Sequence, residues 1–107
     1  MRRVFLVLLA FGLTGAGEAA PQPMSKNERA YTITLICAVL AARHKNDVDI
    51  QRTMDAVRKM GKAKGYTNKK VSGDLITMAS VVGVQLRDEP ATVERNRGIC
   101  RQLGLLG

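Results

Sequence analysis

Apolar residues recur along most of this chain at the spacing of one helix face, and no stretch shows the alternation expected of a half-buried strand. Residues 31–42, opening with Tyr31 and closing with Ala42, contain only Thr32 and Thr34 as polar side chains. A helix apolar nearly all round is a buried one, so this segment predicts either the central helix of the domain or one that also meets a second copy of the chain. Ser25, followed three positions later by Glu28, forms a capping box and sets the start of that helix, which should run to about Lys45. A second helix opens at Asn46 or Asp47, with Ile50, Met54 and Val57 at i, i+4 and i+7 and with Asp47 and Asp49 near its positive end. Arg52, Asp55, Arg58, Lys59 and Lys62 fall on its other side, and Gly61 and Gly65 read as stop signals.

Thr67 or Asn68 then begins a third helix whose stripe of Val71, Leu75, Met78, Val82 and Leu86 predicts a core face. Ala79 and Gly83, four apart, offer another helix a place of close approach. Pro90 suits the first position of a fourth helix, because its missing N–H is no loss there, and that helix should reach about Leu103. Its stripe is weak, consisting of Val93, Cys100 and Leu103, so its attachment has to come partly from a covalent link. The predicted fold class is all-α, a compact four-helix domain with one disulfide linking the first and last helices.

The N-terminal residues alter where such a domain should be found. Arg2 and Arg3 precede an apolar run over residues 4–13, followed by small residues and then Ala19. This is the pattern of a secretory signal peptide over residues 1–19, cleaved after Ala19, which leaves residues 20–107 as a single helical domain. The apolar run is well short of the roughly 20 residues a spanning helix needs, so no stable membrane insertion is expected. The expected location is the periplasm or the exterior. Two cysteines in a small exported domain are far more often a structural disulfide than free thiols, which points to a Cys37–Cys100 bridge, with a lone active-site thiol as the alternative.

Composition narrows the chemistry further. Seventeen Lys and Arg against nine Asp and Glu give a formal charge of +8, and aromatic residues make up only 4% of the chain. Glu28, Asp47, Asp49, Asp88 and Glu89 sit where helix caps and first turns want acids, so no carboxylate pair for hydrolysis is indicated. His44 stands alone at the end of the first helix, Met54 and Met78 belong to core stripes rather than to a copper site, and no phosphate-binding glycine loop occurs. No catalytic residue, metal or cofactor is therefore expected.

The uneven feature is a basic segment containing Arg58, Lys59, Lys62, Lys64, Lys69 and Lys70 and no acid between residues 56 and 73. Such a run is most often a solvated surface, and its functional reading is a patch for an acidic protein, an anionic envelope polymer or a membrane surface. Nucleic acid is not expected, since export and the absence of a recognition motif count against it.

The apolar helix around Cys37 and the terminal helix around Cys100 together resemble the immunity proteins that neutralise type VI secretion amidase effectors. That family pairs a cysteine in an apolar first helix with one in the last. The same features are similar to the HdeA-like periplasmic fold of acid-stress chaperones, although the spacing between the two cysteines is long for it. Both resemblances imply a protein that acts by binding another protein, and neither carries a functional residue over to this chain. The sequence thus predicts a non-enzymatic binding protein of the bacterial cell envelope, an inhibitor or immunity factor. An acid-stress chaperone and a structural envelope protein are the alternatives, and a homodimer through residues 31–42 is a further expectation.

Overall fold

The computed structural model describes residues 25–107; residues 1–19, expected from the sequence to be a signal peptide, lie outside the described residues. Four helices follow one another, α1 over Lys26–His44, α2 over Asp47–Ala63, α3 over Asn68–Asp88 and α4 over Pro90–Gln102, with no strand among the described residues. Each N-terminus is set locally. Ser25 Oγ accepts the Glu28 N–H at 3.1 Å, Asn46 Oδ1 accepts the Asp49 N–H at 3.1 Å, and Thr67 Oγ1 accepts the Lys70 N–H at 3.1 Å. Pro90 occupies the first turn of α4 without a side-chain cap before it. Lys45 ends α1 in the left-handed region at φ 54°, and Gly65 takes the corresponding conformation, at φ 76°, just after α2.

Helix α1 is the centre of the bundle and touches all three others. Its residues Tyr31, Thr34, Leu35, Cys37, Ala38, Val39, Leu40 and Ala41 are buried, so the other helices cover most of the apolar run that suggested a second copy. Thr34 and Thr53 reach the interior by donating their hydroxyls to the backbone carbonyls of Ala30 and Asp49, both at 2.7 Å, which leaves no hydroxyl proton unpaired. One cluster joins Tyr31, Leu35 and Ala38 with Val57 of α2 and Val71 of α3. The other joins Cys37, Leu40 and Ala41 with Val82 of α3, Val93 and Cys100 of α4, and Leu106. Cys37 and Cys100 are bonded, with their Cα atoms 5.7 Å apart, so the disulfide ties α1 to α4 within the second cluster.

Several local expectations need correction. Leu86 and Leu103, read as core positions, are exposed, and Leu106, which follows the helix-ending turn at Gly104, fills the place expected of Leu103. Gly61 does not stop α2, which continues through it to Ala63. Its role is close approach, since a Cβ there would stand 2.7 Å from Val71 Cγ2. Gly83 does not receive another helix; the Arg43 guanidinium lies over it instead.

Gly61→Ala is consequently expected to destabilise the fold by about 1 kcal/mol, because overpacking against a buried, stiff Val71 outweighs the gain in helix propensity. Combining it with Val71→Ala should recover part of that loss in a double-mutant cycle measured by urea unfolding. A stabilised Gly61→Ala single variant would contradict the packing described here.

Candidate basic docking face

The six basic residues singled out in the sequence fall into two groups. The first group holds the fold together. Lys64 Nζ lies 2.7 Å from Glu28 Oε2, crossing from the end of α2 to the start of α1, and Tyr66 donates its hydroxyl to the same oxygen at 3.2 Å. Glu28 Oε2 thus ties the start of α1 across the bundle to the end of α2. Lys70 reaches Asp74 at 3.2 Å and stands 4.7 Å above the Tyr66 ring, with Lys64 5.3 Å from the same ring. Tyr66 meets Tyr31 edge-on at 5.4 Å, and the Tyr31 hydroxyl donates to Asp74 Oδ2 at 2.8 Å. The only two tyrosines of the chain are therefore at the centre of a polar network that joins α1, the end of α2 and α3.

The charges in this network shift one another. The hydrogen bond from Lys64 holds the Glu28 carboxyl below the usual glutamate range, and the bond to Glu28 in turn raises Lys64. Burial, followed by the hydrogen bond to Asp74, pushes the Tyr31 hydroxyl well above the usual tyrosine range. A carboxylate with a depressed folded-state pKa adds stability at pH above its unfolded value and loses it as pH falls through the folded value. The Glu28 tie should thus be intact at neutral pH and be released only at acid pH, below the ordinary glutamate titration. Carboxyl NMR titration should give Glu28 a lower midpoint in the native protein than in Lys64→Met; equal midpoints would remove Lys64 as the cause.

The second group faces solvent with fewer ties. Arg58 contacts Asp55 at 3.1 Å, but both side chains are largely exposed, and a pair of this kind contributes little. Lys59, Lys62 and Lys69 have no acidic partner among the described residues. Arg58, Lys59 and Lys62 line one side of an 820 Å³ groove between α2 and α3, and Asn68 and Ser72 stand on the other. Its apolar lining comes from Met54, Val71 and Leu75. Lys64, Lys69 and Lys70 do not line this groove, so the structure divides what was one basic segment in the sequence.

At the opposite end of the bundle the Asp49 carboxylate, nearly buried, contacts Arg52 at 3.2 Å and accepts the Gly107 N–H at 3.1 Å. That bond fastens the C-terminal turn carrying Leu106. The Arg97 guanidinium contacts His44 Nε2 beside it, and Glu94 lies 3.3 Å from Arg97 on the other side. By sequence position Asp49 suits the positive end of the α2 dipole, and His44 suits either the α1 dipole or solvent. Both also make contacts to distant segments.

Among the described residues, no group of three His, Cys, Asp or Glu is placed to hold a metal ion. No described helix is long and apolar enough to cross a membrane. What the geometry defines is a small, disulfide-bridged four-helix protein whose most distinctive surface is a basic groove between its second and third helices. No protein-family model, curated protein or solved structure matches the chain.

Proposed function

We propose that this is an exported, non-enzymatic binding protein of the bacterial cell envelope, acting as an inhibitor or immunity factor on a partner with an acidic surface. The carrying observation is the α2–α3 groove, where Lys59 and Lys62 have no acidic partner among the described residues and stand beside an apolar lining of Met54, Val71 and Leu75. Unpaired cations next to apolar side chains suit a protein interface, in which the charges steer and select while the apolar contact supplies affinity. The signal-peptide pattern over residues 1–19 supports export, and the bridge between Cys37 and Cys100 is compatible with it.

The test is affinity capture from envelope extract at low and moderate salt, using the native protein and the double variant Lys59→Glu, Lys62→Glu. Both substitutions are exposed and should leave the melting temperature unchanged, whereas Lys64 and Lys70 also hold the tyrosine network. A stoichiometric partner captured by the native protein should be lost from the double variant and weakened by salt. Equal capture by both would overturn the reading, as would turnover of a cell-wall substrate by the purified protein.

A further inference from the structure

The basic groove continues into a second cavity. Met54 and Leu75 line both, and beyond them a space of 440 Å³ is bounded by Ala38, Val39 and Ala42 of α1 and by Ile76 of α3. Ala79 and Arg43 complete this end. The two spaces adjoin at Met54 and Leu75 and make one trough, lined by α2 and α3 at its basic end and chiefly by α1 and α3 at its apolar end. Along α3 the trough runs from Asn68 to Ala79, about 17 Å at the helical rise, or three turns.

Its lining is chemically graded. The end over α1 is almost wholly apolar, and Ile76 there is 70% exposed, an unusual state for a large side chain beside a cavity. Ala42 and Ala79 are exposed and small, which lets another backbone approach closely. Three cations border the trough without an acidic partner among the described residues, Arg43 at the apolar end and Lys59 and Lys62 along α2. The single acid in the lining, Asp55, is offset by Arg58 at 3.1 Å beside it. With helices on both sides, the trough has no strand edge to which an extended peptide could add. An elongated apolar groove between helices is instead the seat of another helix.

We infer that the trough receives an amphipathic helix of the protein partner, about three turns long, with its apolar stripe on Met54, Leu75 and Ile76 and its acidic flanks opposite Arg43, Lys59 and Lys62. This inference rests on the binding-protein reading above and adds the chemistry and shape of what is bound.

The probe is a synthetic, end-capped peptide of about 14 residues, long enough for the trough, with Leu and Ala on one helical face and Glu on its flanks. A counterpart carries Lys in place of Glu, and phosphatidylglycerol vesicles serve as the anionic alternative. The acidic peptide should bind the full oxidised protein and shift the methyl resonances of Met54, Ile76 and Ala79. Its affinity should fall about tenfold in Lys59→Glu, Lys62→Glu and about fivefold in Ile76→Gln, which removes apolar contact without changing charge.

Binding of the Lys peptide as tightly as the Glu peptide, undisturbed trough methyls, or full affinity in Ile76→Gln would overturn the inference. So would vesicles that shift these methyls when the peptide does not. The cellular partner separates this failure from that of the broader reading. Capture retained in Ile76→Gln but lost on charge reversal removes only the helix-binding trough, and capture lost in neither removes the proposed function.

Discussion

Breaking the Cys37–Cys100 bridge, by reduction or by the double variant Cys37→Ala, Cys100→Ala, is expected to lower the unfolding free energy by about 4 kcal/mol. The two cysteines are 63 positions apart, so the closed loop contains all of α2 and α3, and chain entropy gives a cross-link over so long a loop a large effect on the unfolded state. The native state has its own reason to depend on the bond. Of the thirteen residues of α4, only Val93 and Cys100 are buried, and its N-terminus lacks a side-chain cap. Without the bridge α4 is held by one valine, by contacts of half-buried side chains and by the turn behind it. Urea unfolding of oxidised and reduced protein should therefore differ in midpoint, and amide exchange in α4 should accelerate more than in α1. Coincident unfolding curves would show that the bridge is dispensable.

Such dependence fits a chain of this size, in which the buried apolar side chains form two modest clusters rather than one large core. The arrangement also bears on the proposed function. The trough is lined by α2 and α3, both inside the disulfide loop, and at its apolar end by α1, the helix that carries Cys37. The bridge thus limits how far the trough can deform in the unbound protein, and a preformed site loses less entropy on binding.

What the sequence disclosed and what it concealed divide along the range of the interactions. Ser25, Asn46, Thr67 and Pro90 act on amides or backbone within a few residues, so the four helix starts could be read from local composition. The disulfide could be read because a chain with only two cysteines offers a single internal pairing. Glu28 and Asp49 look like ordinary first-turn acids, but their other partners are 36 and 58 positions away, and no periodicity reports such a distance. Leu106 escaped the same reasoning because it follows the turn at Gly104 and belongs to no helical stripe.

The basic segment shows the same limit. Local charge density cannot separate Lys64, tied to Glu28 on another helix, from Lys62, which faces the groove. One part of the distinction is visible in the sequence. Lys70 and Asp74 are at the i, i+4 spacing of a helical ion pair, which already removes one lysine from the free patch. The groove itself could not be foreseen, because it arises between α2 and α3 and not from either helix alone.

Leu40→Ala is expected to cost about 2–5 kcal/mol, the range for emptying a leucine site in a packed core. Leu40 is 1% exposed and stands where α1 meets Val82 of α3, Val93 of α4 and Leu106, so truncation withdraws contacts from three directions at once. The size of the loss depends on whether neighbours can collapse into the space. In the oxidised protein the bond from Cys37 fixes the distance between α1 and α4, which keeps α4 from moving inward, so more of the cavity should persist. After reduction α4 is free to shift, the cavity can shrink, and the same substitution should cost less. Unfolding of the oxidised and reduced forms of native protein and Leu40→Ala gives the coupling directly, and the two losses together should fall short of their sum by about 0.5–2 kcal/mol. Even so, the combined loss takes most of the roughly 5–15 kcal/mol that holds a typical domain together, so reduced Leu40→Ala should be largely unfolded at physiological temperature. Strict additivity would mean that the cavity and the bridge act on separate parts of the fold, against their placement in one cluster.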